Sequence, residues 1–255
     1  MKAMWQRLFI LGLLVGFSAS PAGAATPTAE YQITFDASWS AATHPVSFPA
    51  GAHFSPPIGV MHNDQVVFWQ TGALASDGIE DMAELGATSI LSNEILAATS
   101  AGDAGESVIG AGLSSPGQSV LSLLATLAHP RLSMVSMIAP SPDWFIGVSA
   151  LELLAPGPGG DWVDELVVDL FAYDAGSDSG GIYTSANSDT VPAVTISLIT
   201  SSPFDGAVPL GTFTIVRTDD PAQQVPGLSS WGVSILLGSL LCGALVARRL
   251  RRCEG

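Results

Sequence analysis

The chain has 255 residues, 47% of them hydrophobic and only 12% charged, and its 8 Lys and Arg against 23 Asp and Glu leave a formal net charge of -15. So acidic a chain cannot neutralise phosphates, which excludes a binder of duplex DNA or RNA. It is also too apolar for a disordered acidic tail, and its length suits one domain of ordinary size with tails.

The charges are unevenly placed. Lys2, Arg7, Arg248, Arg249, Arg251 and Arg252 lie at the two ends, leaving Arg131 and Arg217 between them, while every acidic residue except Glu254 lies in the middle. Both cysteines, Cys242 and Cys253, also belong to the C-terminal tail. The central region therefore has no thiol for an internal disulfide or a cysteine-ligated zinc.

Residues 1–24 read as a secretory leader: Lys2 and Arg7 at the start, an apolar run from Leu8 to Phe17, and a small-residue site at Ala22-Gly23-Ala24. The run is shorter than the roughly 20 residues a spanning helix needs. At Tyr31, Ile33, Phe35, Ala37 and Trp39, apolar residues alternate with Gln32, Thr34, Asp36 and Ser38. Period two over this stretch predicts a half-buried strand from Tyr31 to Trp39. Asp77-Gly78-Ile79-Glu80 reads as a capping box, with Ile79, Met82 and Leu85 on one helical face and Gly86 at its end. Ser89 to Ala98 predicts a second short helix, and the Gly, Ser and Ala of Thr99 to Gln118 predict a mobile connection. Further strands are expected at Leu132 to Ile138, Phe145 to Leu153, Leu166 to Tyr173, Val194 to Thr200 and Thr212 to Arg217. The spacing describes an all-β domain over 25–220, an antiparallel β-sandwich with one or two short helices inserted after the first strands.

Residues 221–230 read as a linker, followed by an apolar stretch over 231–247 and a basic tail over 248–255. The stretch is at the lower limit for a transmembrane segment, and the arginines place its end in the cytoplasm by the positive-inside rule. Val225-Pro226-Gly227-Leu228-Ser229-Ser230-Trp231-Gly232, with the span and arginines behind it, resembles the PEP-CTERM and IPTL-CTERM sorting tails of Gram-negative bacteria. That resemblance implies an exported protein, anchored at the cell envelope unless a sorting protease processes it.

Among residues that could carry chemistry, Asp143 follows Ser141-Pro142 and precedes Trp144-Phe145. Asp174 and Asp178 share the turn Tyr173-Asp174-Ala175-Gly176-Ser177-Asp178-Ser179-Gly180. A glycine-rich loop with two aspartates four apart can wrap a hard cation, with a third carboxylate arriving from elsewhere. The same aspartates can equally cap turns by accepting local backbone N–H groups. No H-E-x-x-H pair, G-x-S-x-G elbow or phosphate loop occurs. His62 and His129 read as structural residues. Asp164 and Asp169 could in principle serve glycoside hydrolysis, but they read better as a solvated strand face. Trp144 and Trp162 could stack on a sugar, although Trp144 at a strand edge reads as core.

Pro140-Ser141-Pro142-Asp143-Trp144-Phe145-Ile146-Gly147-Val148, then Leu151-Glu152-Leu153, then the Tyr173 to Gly180 turn, resembles the spondin N-terminal domain of F-spondin and mindin. Phe35 to Trp39, His62 with Trp69, Ala75 to Glu84, and Thr200-Ser201-Ser202-Pro203 add to the match, which spans Tyr31 to Arg217. The resemblance implies a C2-like sandwich with a divalent cation, Ca2+, on Asp143, Asp174 and Asp178. It also implies a further Glu in some animal members, whereas Leu121 to Leu127 here holds no acid. Heparin binding does not transfer to so acidic a surface. The expected function is an exported, surface-associated adhesion or interaction module, non-catalytic, with a protein or glycan partner. The alternatives are a secreted hydrolase of polysaccharide or ester using loop carboxylates, and a C2-like domain docking on lipid through Ca2+.

Overall fold

The computed structural model describes residues 26–156, 160–204, 206 and 208–219. The leader read at 1–24 and the linker, span and basic tail read over 221–255 lie outside them. Among the described residues no helix is long and apolar enough to cross a membrane.

In chain order the elements are β1 (Thr28–Ala37), β2 (His53–Phe54), β3 (Ile58–His62), α1 (Asp77–Leu85), α2 (Ser89–Ala101), β4 (Val108–Ile109), β5 (Leu113–Ser114), β6 (Gly117–Thr126), β7 (Arg131–Ala139), β8 (Trp144–Glu152), β9 (Glu165–Leu170), β10 (Tyr173–Asp174), β11 (Ser197–Leu198) and β12 (Gly211–Arg217). The first sheet has four strands in the order β6-β1-β12-β9. The second runs β11-β10-β8-β7-β2-β5, with β3 pairing β7 and β4 to one side. The named strands pair antiparallel throughout. This is the expected all-β sandwich with two helices.

Two separate cores explain why the sheets read differently in sequence. Tyr31, Ile33 and Phe35 of β1, with Phe213 and Ile215 of β12, face Phe54, Met134, Trp144 and Ile146 across the sandwich. The outer face of the first sheet meets solvent, so its strands alternate. The second sheet is covered on its other face as well: Ile79, Met82 and Ala83 of α1 and Leu91 and Ile95 of α2 pack on Val60, Val135, Met137 and Phe145. Strands buried on both faces lose alternation. Every residue of β3 is buried, and after the first residue so is every residue of β7.

Three expectations are corrected by this arrangement. The connection expected from Thr99 to Gln118 contains the end of α2, the strands β4 and β5, and the start of β6. The strand expected from Leu166 to Tyr173 divides into β9 and β10, because β9 pairs with β12 in one sheet and β10 with β8 in the other. Helix α1 is capped by Ser76, whose Oγ accepts from the Ile79 N–H, not by Asp77. The partner of that cap is Glu94 of α2, which accepts from the Ser76 hydroxyl at 2.7 Å and the Gly78 N–H at 2.8 Å. Glu80, three residues on from Asp77, is exposed.

Candidate metal centre

Asp143 sits between β7 and β8, where Ser141 Oγ accepts the Trp144 N–H at 3.1 Å and fixes the turn. Pairing of β8 with β10 sets Trp144 opposite Asp174 and brings the 174–180 turn against Asp143. The Ala175 N–H then donates to the Asp143 carbonyl at 3.1 Å. An aromatic cluster backs the turn. Trp144 lies 5.4 Å from Tyr183 and 5.3 Å from Phe204 between ring centroids, and Tyr183 in turn packs on Trp39.

The three aspartates have different surroundings. Asp143 is completely buried. Its Oδ2 accepts the backbone N–H groups of Ser177 at 2.9 Å and Asp178 at 3.1 Å, while its Oδ1 is buried with no hydrogen-bond partner. Asp174 Oδ1 accepts the Gly176 N–H at 2.8 Å. Asp178, 5% exposed, accepts from Gly180 at 2.6 Å and Ser188 at 2.7 Å. The turn-capping reading thus describes Asp174 and Asp178 correctly. Asp143 performs the same task at long range, clamping one loop to another. A carboxylate has about four lone-pair sites, so this capping does not consume the set.

Charge is the unresolved element of this group. Burial chiefly pushes the Asp143 carboxyl up to about 6; the Asp178 N–H opposes the shift, and the Asp174 charge reinforces it. Asp174 is also raised, first by burial, with Asp178 adding to it. The two central arginines are engaged elsewhere: Arg131 with Glu152 at 3.0 Å, and Arg217 with Asp219 at 2.9 Å. Among the described residues no group of three or more His, Cys, Asp or Glu side chains is placed to hold a metal ion, Asp143, Asp174 and Asp178 included. The aspartates are electrostatically coupled neighbours, and the orphaned Asp143 Oδ1 is the atom whose chemistry suits a hard cation.

A pH dependence follows for the protein in chelator. Asp143 in the folded state binds its proton up to about pH 6, against an ordinary unfolded value near 4. The folded state therefore holds more protons than the unfolded chain across that window, and stability falls as pH rises through it. Below the window the contribution vanishes; above it the loss is on the order of 2 kcal/mol. Thermal melts in chelator at pH 4.5 and 7.5 should show a parent-minus-Asp143→Asn difference that becomes more unfavourable to the parent at the higher pH. A difference independent of pH would overturn this account of the carboxyl.

The family model described as Spondin_N matches residues 29–210, which include both helices, the three aspartates and, from the second residue of β1, every named strand except β12. The chain belongs to the Spondin_N family. It is 34% identical over 211 residues to Spondin-2 of Rattus norvegicus, covering 79% of this chain and 62% of that protein. It is 35% identical over 198 residues to Spondin-2 of Homo sapiens, covering 74% and 59% respectively. With Spondin-1 of Gallus gallus it shares 38% identity over 191 residues, covering 69% of this chain and 23% of that protein. The chain thus spans about three fifths of these Spondin-2 proteins and less than a quarter of that Spondin-1.

Other candidates of this Spondin_N domain have structural tasks. His62 is fully buried and satisfied on both nitrogens, by Ser133 Oγ at 2.8 Å and the Asn63 carbonyl at 2.7 Å. Burial chiefly lowers its pKa. The His129 Nε2 meets the Gly102 carbonyl at 2.9 Å. Trp144 and Trp162 are each 3% exposed, and the Trp162 indole donates to the Thr26 carbonyl at 2.8 Å. Asp164 and Asp169 are exposed. One participant was not singled out in the sequence: Ser177, whose backbone and hydroxyl face Asp143. Ser177 was discoverable as the residue before Asp178.

Proposed function

We propose that this chain is an exported, non-catalytic adhesion or interaction module whose working end is organised by Ca2+ bound to Asp143, Asp174 and Asp178. The observation that supports it most is the fully buried Asp143 carboxylate, with one oxygen orphaned beside two further acids. Bound Ca2+ supplies the positive charge that this cluster lacks. The side chains would hold it while the loop's backbone N–H groups, already on Asp143 Oδ2 and Asp178, keep the carboxylates oriented. Membership in the Spondin_N family supports an extracellular interaction role over catalysis. The leader at 1–24 and the sorting tail at 221–255 support export and attachment to the cell envelope, with processing by a sorting protease. The partner is a protein or glycan met at the cell surface, approached by the loops around 174–189.

The test is a thermal melt of the purified protein in Ca2+ and in chelator. At an ion concentration of one hundred times Kd, the folded state gains about 2.7 kcal/mol and the midpoint rises accordingly. Asp174→Asn should lose most of that gain while its chelated midpoint stays near the parent's. Superimposed parent curves with and without Ca2+ would end the ion reading.

A further inference from the structure

The four-stranded sheet ends on β6 at one side and β9 at the other, each pairing with a single neighbour, β1 and β12 respectively. An end strand presents a row of unpaired backbone N–H and C=O groups, which another strand can join unless charge, proline or shortness prevents it. β9 is guarded by charge: of its six residues, Glu165 and Asp169 are exposed. Run antiparallel against a copy of itself about Val167, it would set Glu165 opposite the partner's Asp169, and like charges directly opposite repel. The second sheet is guarded by shortness, since its end strands β5 and β11 have two residues each. β6 has neither guard. Its ten residues contain no charge and no proline, in a chain of net charge -15. Gly110, beyond β4, lies against the inward Leu121 side chain, but neither β4 nor β5 pairs with β6.

The outward residues of β6 indicate what joins it. Gln118, Val120, Ser122 and Leu124 are exposed and Thr126 is half-buried, while Ser119, Leu121, Leu123 and Ala125 between them are buried. On the outer face polar and apolar residues therefore alternate symmetrically about Ser122. A second copy, antiparallel and with Ser122 on the two-fold axis, sets Ser122 against the partner's Ser122. Val120 then meets the partner's Leu124, and Gln118 meets the partner's Thr126, so every cross-strand pair matches in polarity. No acid enters the seam. Glu30 and Asp36 stand one strand back on β1, opposite Leu124 and Gln118, and the Gln118 amide donates to Asp36 Oδ1 at 2.8 Å. We propose that this chain self-associates through β6, two copies joining their four-stranded sheets into one continuous sheet. Such a contact is isologous and closes at two copies, because the acidic β9 edges end the joined sheet on both sides.

Oxidative trapping reads the register. With Cys242 and Cys253 replaced by serine, Ser122→Cys sets two thiols face to face across the axis, whereas the thiols of Gln118→Cys stand about 26 Å apart along the seam. Ser122→Cys should therefore give a covalent dimer under mild oxidant and Gln118→Cys should not; trapping of both or of neither would overturn the pairing. Sedimentation of the full chain in detergent reads the energetics. Val120→Lys should weaken dimerisation about tenfold or more, while Val167→Lys on β9 changes the charge equally and should stay within about twofold. A parent that is monomeric throughout, or a dimer on which the two lysines act equally, would overturn the proposal. Both measurements are made in chelator, so their failure leaves the Ca2+ reading untouched.

Discussion

Gly176→Val removes the Ca2+ response and lowers the melting point even in chelator. Gly176 has φ of +78°, and a Cβ there would press on the Val194 carbonyl oxygen, with the Val194 Cγ2 at 3.0 Å. The left-handed backbone costs about 1–2 kcal/mol for an ordinary residue, and displacing a packed neighbour costs about 1–3 more. The damage is local to the proposed site, because the Gly176 N–H binds Asp174 and its carbonyl accepts the Val194 N–H at 2.9 Å. If the turn moves, the Ser177 and Asp178 N–H groups leave Asp143 Oδ2, and a buried carboxylate loses its donors. Calcium affinity should fall more than about a hundredfold, the sum of misplacing Asp174, Asp178 and Ser177 together. A Gly176→Val protein that melts with the parent and still responds to Ca2+ would show that the turn is not constrained as described.

The largest loss expected without touching the site comes from Phe35→Ala. Phe35 is fully buried on β1, and its ring lies 5.0 Å from Phe54 of the opposite sheet and 5.2 Å from Phe213 of the neighbouring strand. Both contacts are edge-to-face, so truncation removes aromatic pairing as well as buried area. Since β1 is held on both sides, by β6 and β12, the backbone has little freedom to collapse into the gap. The expected cost is about 3–5 kcal/mol, a large share of the roughly 5–15 kcal/mol that stabilises a domain, and the midpoint should fall by about 10 °C. Val167→Ala on β9, 55% exposed on the outer face of the same sheet, should stay within about 0.5 kcal/mol. Similar losses in both variants, compared by chemical denaturation, would contradict the placement of the sandwich core.

Legibility in the sequence followed solvent exposure. β1 and β12 alternate because one face of their sheet is wet, and both were readable as strands. β6 also alternates in burial, but Val120 and Leu124 occupy exposed positions, so its apolar residues conceal the pattern. β3 is buried throughout and too short to be told from a buried turn of helix. For the site, Asp143, Asp174 and Asp178 stood out through their motifs, and strand pairing brings their loops together. The orphaned oxygen of Asp143 and the long-range clamp of its other oxygen on the Ser177 and Asp178 N–H groups depend on contacts between residues far apart in the chain, which no local pattern encodes.

The alternation of β8 has a mechanical consequence. Trp144 belongs to the core between the sheets and Phe145 to the core beneath the helices, directly after Asp143. The two cores are therefore bolted together at the residue pair adjoining the proposed ion. Any motion that opens the 174–180 turn by withdrawing Asp143 must loosen two hydrophobic layers at once. The loop end of this domain is thereby held by two hydrophobic layers at once, its shape set by the folding of both.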